Sequence, residues 1–304
     1  MSTAEPTHTL DQLDGWTHAG PALAVLGHPI RHSLSPAMHN AALAELARRE
    51  PAFAAWKYFR FDVPPAQLHA ALARLHAAGF RGLNLTVPHK VLALESVAEI
   101  DPEAATVGAV NTLVRTAHGW RGFNTDGHGL AAGLREDLGV DLAGAHVILL
   151  GAGGAARGAA VECLRRKSAS LWIANRTRAN LDALLALLRP LADSTALHGF
   201  DPGNPPADLP PAAVVINATS LGLKPGEPAP IDLRRLPADT KVYDMIYNPP
   251  QTALLATAAA LGRPHANGLS MLVHQGARAL EIWTGAAVPL ATMKAAALRA
   301  ASAT

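Results

Sequence analysis

The run His146-Val147-Ile148-Leu149-Leu150 breaks off into Gly151-Ala152-Gly153-Gly154-Ala155-Ala156 and then into a helical stretch. No other feature constrains the fold as strongly. G-x-G-x-x-A between a strand and a helix is a dinucleotide-binding fingerprint. Its glycines let the backbone approach a pyrophosphate, and the helix N-terminus offers N–H groups and positive dipole. A tight β-to-α turn without a ligand is the alternative. The flanking pattern fits a doubly wound, Rossmann-type unit: helices over 129–138 and 156–166, strands over 146–150, 171–174, 214–217 and 242–245, and a proline-rich loop over 201–211.

The chain before this unit alternates in a similar way. Strand, helix, strand, helix and strand are predicted over 23–26, 36–49, 58–63, 67–78 and 82–87. Ser35 is placed as the N-cap of the first helix and Pro36 as its first residue. A helix from Pro88 toward Ala98 and a hairpin over 111–115 and 119–124 follow. This order predicts an N-terminal α/β domain with a mostly parallel sheet. Residues 269–301 read as two helices parted near Gly285–Pro289.

Composition excludes several classes. With 304 residues, 49% of them hydrophobic and 16% charged, the chain has material for about two domains with real cores. No run of about 18 apolar residues predicts a membrane span. The alanine-rich stretches 41–47 and 253–260 read as helices. Residues 1–16 hold three acids, lack an apolar stretch, and read as a flexible extension rather than a signal peptide. One cysteine, Cys163, permits no intrachain disulfide and fits a cytoplasmic location. A net charge of +2, with Arg165-Arg166-Lys167 as the one basic cluster, gives no nucleic-acid surface. The closest histidine pair, His28 and His32, spans Pro29 and does not suit a metal, so no metal site is expected.

The strand after the fingerprint ends in Ala174-Asn175-Arg176-Thr177-Arg178. An NAD enzyme usually places an acid here to bond the ribose 2′-hydroxyl. Arg176 offers instead a fork of donors suited to a 2′-phosphate, which predicts NADP preference. A surface arginine beside the next helix is the plainer alternative.

Polar clusters fall at the ends of predicted strands, where open α/β sheets bind ligands. They are Ser33-Leu34-Ser35-Pro36, Asn84-Leu85-Thr86-Val87-Pro88-His89-Lys90, Gly108-Ala109-Val110-Asn111-Thr112 and Asn124-Thr125-Asp126-Gly127. Singly, each is an ordinary turn or cap. Taken in this order, with Asn217-Ala218-Thr219-Ser220, Asp244-Met245-Ile246-Tyr247 and 267–275 after the fingerprint, the chain resembles the shikimate dehydrogenase family over roughly residues 25–285. The N-terminal extension and the last helix fall outside that match.

The resemblance implies two α/β domains with the active site in the cleft between them. The substrate domain would span 17–125, completed by 269–304, and the Rossmann NADP-binding domain would span 126–268. It implies reversible reduction of 3-dehydroshikimate to shikimate with NADPH, in aromatic amino acid biosynthesis, by a monomer or homodimer. Lys90 and Asp126 would form the catalytic pair. Ser33, Ser35 and Thr86 would hold the substrate carboxylate, with Tyr247 nearby. Asn84, Asn111, Asp126 and Gln275 would bind the ring hydroxyls and the reacting oxygen. Gly151, Ala152, Gly153, Gly154, Ala155, Asn175, Arg176, Thr177, Arg178, Thr219, Met245 and Gly268 would line the cofactor. One position departs from the family: Asn180 stands where a second arginine is usual, leaving Arg176 alone, or Arg178 with it, for the 2′-phosphate.

Rival readings are a quinate or amino-shikimate paralogue, a module that senses NADP(H) without turnover, and a folate dehydrogenase of similar domain arrangement. Ser35 and Arg176 favour shikimate over quinate. A sensor would have no use for Lys90 with Asp126, and the hydroxyl-binding clusters do not suit folate.

Overall fold

The computed structural model describes residues 5–302. The chain forms two compact units, one built from the chain up to Thr125 with the segment from Gln275 onward, the other from Asp126–His274.

In the first unit, β1 (Ala22–Gly27), β2 (Lys57–Asp62), β3 (Gly82–Leu85), β4 (Glu99–Ile100), β5 (Thr112–Thr116) and β6 (Gly119–Phe123) form one sheet in the order β2-β1-β3-β5-β6-β4. β1 lies parallel to β2 and β3, and β5 turns antiparallel into the β5–β6 hairpin. Every residue of β1 is buried, as expected of a strand covered on both faces. The helices are α1 (Ser35–Arg49), α2 (Leu68–Ala77), the single turn α3 (His89–Leu92) and α4 (Pro102–Val107), with α10 (Leu290–Ala301) from the end of the chain. α1 buries Met38, Ala42, Leu43 and Leu46 on one stripe and ends in Arg48 and Arg49, cations suited to a helix C-terminus.

Two expectations need correction here. Ser35 is not the N-cap of α1. Leu34 takes that position with no side-chain cap, and Ser35 is the first helical residue, which leaves its hydroxyl for other partners. Residues 5–16 are not a loose extension. His8 bridges to Phe61 on β2, Leu10 and Leu13 sit on one short 3-10 turn and bury into the core, and Trp16 packs edge-on against Phe59. Burial of these apolar groups outweighs the polar composition that suggested disorder.

Gly82 shows how tightly the sheet is covered. A Cβ there would fall on the indole nitrogen of Trp283, which donates to the Leu113 carbonyl at 2.9 Å. Gly82→Ala should therefore destabilise the protein by about 1–3 kcal/mol, the usual range for overpacking. Denaturant unfolding checks this, and an unchanged midpoint would show that the indole moves without cost.

The second unit has β7 (His146–Leu150), β8 (Ser170–Ala174), β9 (Ala196–Phe200), β10 (Val214–Asn217), β11 (Lys241–Asp244) and β12 (His265–Asn267), all parallel, in the order β12-β11-β10-β7-β8-β9. Read from the other edge this is 3-2-1-4-5-6, the dinucleotide-binding order, with its switch point between β7 and β10. α5 (Asp126–Leu138), α6 (Gly154–Arg165), α7 (Arg178–Leu188) and α8 (Ala253–Ala260) accompany the strands. α9 (Leu269–Thr284) begins in this unit, and its residues from Gln275 belong to the first. Among the described residues no helix is long and apolar enough to cross a membrane.

Candidate active site

Within the first unit, β2, the end of β3, the start of β5, Thr125 after β6 and the Gln275 turn of α9 carry one buried polar network. The Asn84 side chain is fixed on three sides. Its Oδ1 accepts from the Tyr58 hydroxyl at 2.8 Å, and its Nδ2 donates to the Asn111 carbonyl at 3.0 Å and Thr112 Oγ1 at 3.1 Å. Asn111 Oδ1 accepts from the Thr125 backbone N–H at 2.8 Å and from Thr112 Oγ1 at 2.9 Å. Asn111 Nδ2 donates to Thr125 Oγ1 at 3.0 Å and to Gln275 Oε1 at 3.3 Å. Such amide orientations follow from the network of donors and acceptors around them. Thr112, Thr125 and Tyr58 are members of this network that sequence reasoning did not assign.

A stacked pair backs this network. The His39 and Tyr58 rings lie 4.0 Å apart and 11° from parallel, both fully buried. His39 Nδ1 faces the Ser35 carbonyl at 2.8 Å and Nε2 faces the Gly276 carbonyl at 3.2 Å. Burial pulls the imidazole down to about 4 against the pull of both carbonyls, so at neutral pH the ring carries one proton for two acceptors. Burial pushes the Tyr58 phenol well above its usual value, opposed by a hydrogen bond with the Ser35 side chain.

The remaining candidates of this unit sit at the same sheet end. Ser33 is half-buried, and its Oγ accepts from the Ser35 N–H at 3.3 Å. Thr86 follows β3, and its N–H donates to the Leu26 carbonyl at 3.0 Å. Lys90 is half-buried in α3, and its carbonyl accepts from the Val110 N–H at 2.8 Å.

Asp126 and Tyr247 belong to the second unit. Asp126 opens α5 and is half-buried. Its neighbour Gly127 lies where a Cβ would come within 2.9 Å of the buried Glu162 carboxylate, so that motif glycine serves the packing of α5 on α6. Burial raises the phenol of Tyr247.

The fingerprint loop suits a dinucleotide on local grounds. Gly151 takes φ +113°, open to glycine, and a Cβ there would press on the Ala218 carbonyl at 3.2 Å. At Gly153 and Gly154 a Cβ would meet nothing within 4 Å, and both are exposed with Ala155, which leaves an open cradle. Ala152, between Gly151 and Gly153, is half-buried. α6 starts at this cradle with no side-chain cap and no acid in its first turn, so its N–H groups and dipole favour an anion.

Thr219 lies on the other side of the switch point, with its methyl 3.2 Å from the Cβ position of Gly151. Asn217 fixes its loop, accepting from the Thr219 N–H at 3.0 Å and hydroxyl at 2.7 Å and donating to Asp244 Oδ1 at 3.0 Å. Asp244 also accepts from the Ile246 N–H and the Thr252 hydroxyl. Burial raises its carboxyl, and these three donors hold it back. Met245 donates its N–H to the Asn217 carbonyl at 3.0 Å, and Gly268 packs on the Met245 carbonyl.

At the end of β8, Asn175 donates from Nδ2 to the Thr177 carbonyl at 2.9 Å, and Thr177 is the N-cap of α7. Arg178 is committed to Asp182, its Nε 2.9 Å from both carboxylate oxygens. Arg176 is exposed at the same edge.

Comparison with known proteins agrees with this arrangement. Residues 25–113 match the shikimate dehydrogenase substrate binding domain, and residues 268–298 match the shikimate 5′-dehydrogenase C-terminal domain. The second match takes in most of α10, which sequence reasoning left outside the resemblance. Shikimate dehydrogenase (NADP(+)) of Symbiobacterium thermophilum is 43% identical over 290 residues, 93% of this chain and 96% of that protein. The Thermus thermophilus shikimate 5-dehydrogenase, crystallised with NADP(H) and shikimate, superposes with a TM-score of 0.79 at 35% identity, covering 92% of this chain and 99% of that one. The ligand-free 5-ketofructose reductase of Gluconobacter sp. strain CHM43 is also similar, with a TM-score of 0.80 at 32% identity over 93% and 99% of the two chains. At such identities, sustained over nine-tenths of its length, the chain belongs to the shikimate dehydrogenase family.

Proposed function

We propose that this protein is an oxidoreductase that interconverts 3-dehydroshikimate and shikimate with NADP(H), serving aromatic amino acid biosynthesis in the cytoplasm. The observation that carries the reading is the buried network of Asn84, Asn111, Thr112, Thr125 and Gln275. It gathers uncharged amides and hydroxyls whose bonded partners lie up to 164 residues apart. Groups that both donate and accept suit a polyhydroxylated ring. They select for it strongly, because a ligand lacking a hydroxyl leaves a buried partner unpaired.

Gly151, Gly153, Gly154, the start of α6 and Arg176 are the groups that would hold the dinucleotide, and Arg176 favours the 2′-phosphate form. When bound, NADPH is the source of hydride for the ring ketone. Lys90 holds a proton at Nζ, stabilises the charge that develops on the carbonyl oxygen, and protonates it. In the oxidising direction the same nitrogen takes the proton back. Asp126 is the acidic member of the proposed catalytic pair. Ser33, Ser35 and Thr86 hold the ring carboxylate, and Tyr247 is a further substrate-binding residue. Gln275, Asn84 and Asn111 meet the hydroxyls.

The test is an assay of the purified protein with NADP⁺ and either shikimate or quinate, read by formation of reduced nicotinamide. Turnover with shikimate, well above that with quinate, is expected. No turnover with shikimate, or a clear preference for quinate, would reject the assignment.

A further inference from the structure

β2 carries Tyr58, Arg60 and Asp62 at alternate positions, so their side chains leave one face of the strand. Asp62 and Arg60 reach different points of the segment joining β1 to α1. Asp62 Oδ1 lies 2.6 Å from His28 Nδ1. Arg60 Nη1 donates to the carbonyls of Arg31 at 2.6 Å and Ser33 at 3.4 Å. Tyr58 stacks on His39, whose Nδ1 faces the Ser35 carbonyl at 2.8 Å. Asp62 and Arg60 thus brace the segment before α1 directly, and Arg60 is the one of the three that reaches Ser33.

Arg60 is the unusual member. It is 9% exposed, and its hydrogen-bond partners among the described residues are all backbone carbonyls: those of Arg31 and Ser33, and that of Glu5, reached through Nη2. The nearby acids are engaged elsewhere. The Glu5 carboxylate accepts from Asn40 at 3.0 Å and Lys57 at 3.1 Å, and Asp62 is taken by His28. The N-terminal segment, paired to β2 through His8, lies over this strand edge. A buried guanidinium whose hydrogen bonds all go to neutral carbonyls is costly, although the charge of the nearby Glu5 carboxylate offsets part of the burial. Its cost falls if an anion binds on the far side of the loop that it braces.

We propose that Arg60 is a positioning residue for the substrate carboxylate: it fixes the Ser33–Ser35 loop through the loop's carbonyls and supplies, from behind, the positive charge that the hydroxyl-lined site lacks. This rests on the proposed role of Ser33, Ser35 and Thr86 as carboxylate-binding groups. Arg60 does not touch the substrate. Its field lowers the energy of the bound anion, and its hydrogen bonds hold the hydroxyls in register.

The test compares wild type, Arg60→Met and Arg60→Lys with shikimate and with its methyl ester, which keeps the ring hydroxyls and lacks the charge. Arg60→Met should raise KM for shikimate roughly ten- to fifty-fold, the scale of a unit-charge interaction in a partly buried site. Its kcat should stay within about threefold and its KM for NADP⁺ should not change. The preference of the enzyme for shikimate over the ester should shrink by the same factor, and Arg60→Lys should keep most of it, since the charge is retained. A KM within twofold of wild type in Arg60→Met would overturn the proposal. So would a loss that falls equally on acid and ester, because a purely structural defect does not read the substrate's charge. If Arg60→Met does not fold, Arg60→Lys decides: a collapsed preference for the acid overturns the proposal, and a retained one supports it. A wild type that does not turn over shikimate rejects the functional assignment itself. An active wild type with an indifferent Arg60→Met rejects this inference alone.

Discussion

Lys90→Ala should lower kcat for shikimate oxidation by roughly two or more orders of magnitude, the usual scale for losing a general acid–base group. The affinity for NADP⁺ should be unchanged. The local structure makes this a clean substitution. The turn that carries Lys90 is anchored by its neighbour: His89 is fully buried, its Nε2 lies 2.8 Å from the Val63 carbonyl, and its N–H donates to the Thr86 carbonyl. Burial lowers the His89 imidazole below its usual value, which keeps it neutral and fit to donate one hydrogen bond. At position 90 itself the backbone is held by the Val110 N–H. Alanine keeps that bond and removes the side chain beyond Cβ, with its ammonium. A helix of one turn gains little from the longer side chain, so thermal unfolding should shift little. A rate within a few-fold of wild type, with unchanged unfolding, would remove Lys90 from the chemistry.

The sequence shows some parts of this structure plainly and hides others for physical reasons. β7 is legible to the residue, because a buried parallel strand is a continuous apolar run and glycine marks its end. The β5–β6 hairpin and the break between α9 and α10 are equally plain. α4 carries good boundary signals, since the Asp101 side chain caps the Glu103 N–H, Pro102 opens it and Gly108 closes it at φ +64°. Its six residues are too few to show a helical period, and it goes unread. β4 has two exposed residues and no pattern at all. β9 is an edge strand with exposed positions and a glycine, so its alternation is weak.

The polar face of β2 is a subtler case. Tyr58, Arg60 and Asp62 alternate with Phe59 and Phe61 within the strand predicted over 58–63. A period of two separates the faces of a strand and does not say whether the polar one meets solvent or a polar interior. Here it meets the Ser33 loop. Thr112 and Thr125 are hidden for a related reason: the pairing of side chains from distant segments leaves no local trace. The candidate site residues came from motif order, and only their partners come from the fold.

Arg176→Ala should lower kcat/KM for NADP⁺ about ten- to a hundredfold and leave kcat/KM for NAD⁺ nearly unchanged, since one charge-assisted hydrogen bond is worth about 1.5–3 kcal/mol. β8 delivers four candidates to one edge, and the structure separates them. Asn175 spends its amide on the Thr177 carbonyl. Asn180, where the family usually has its second arginine, is uncharged and exposed. Arg178 faces Asp182 one turn along α7, with Nε 2.9 Å from both carboxylate oxygens, and that hydrogen bond raises the guanidinium above its usual value. A phosphate arriving beside Arg178 therefore meets a pair of near-zero net charge. Arg176 has no side-chain bond to another described residue, and it extends from the loop that replaces the acid of an NAD enzyme. Among the described residues, it is the one whole positive charge at this edge available to a phosphate. Arg178→Ala should thus change the NADP⁺ to NAD⁺ ratio by less than about threefold, the effect of a screened surface charge. Steady-state kinetics with both cofactors on both variants decides the matter. Equal losses with NADP⁺ and NAD⁺ in Arg176→Ala would mean that this arginine holds the loop rather than the phosphate, and a larger effect from Arg178→Ala would move the selectivity to the first turn of α7.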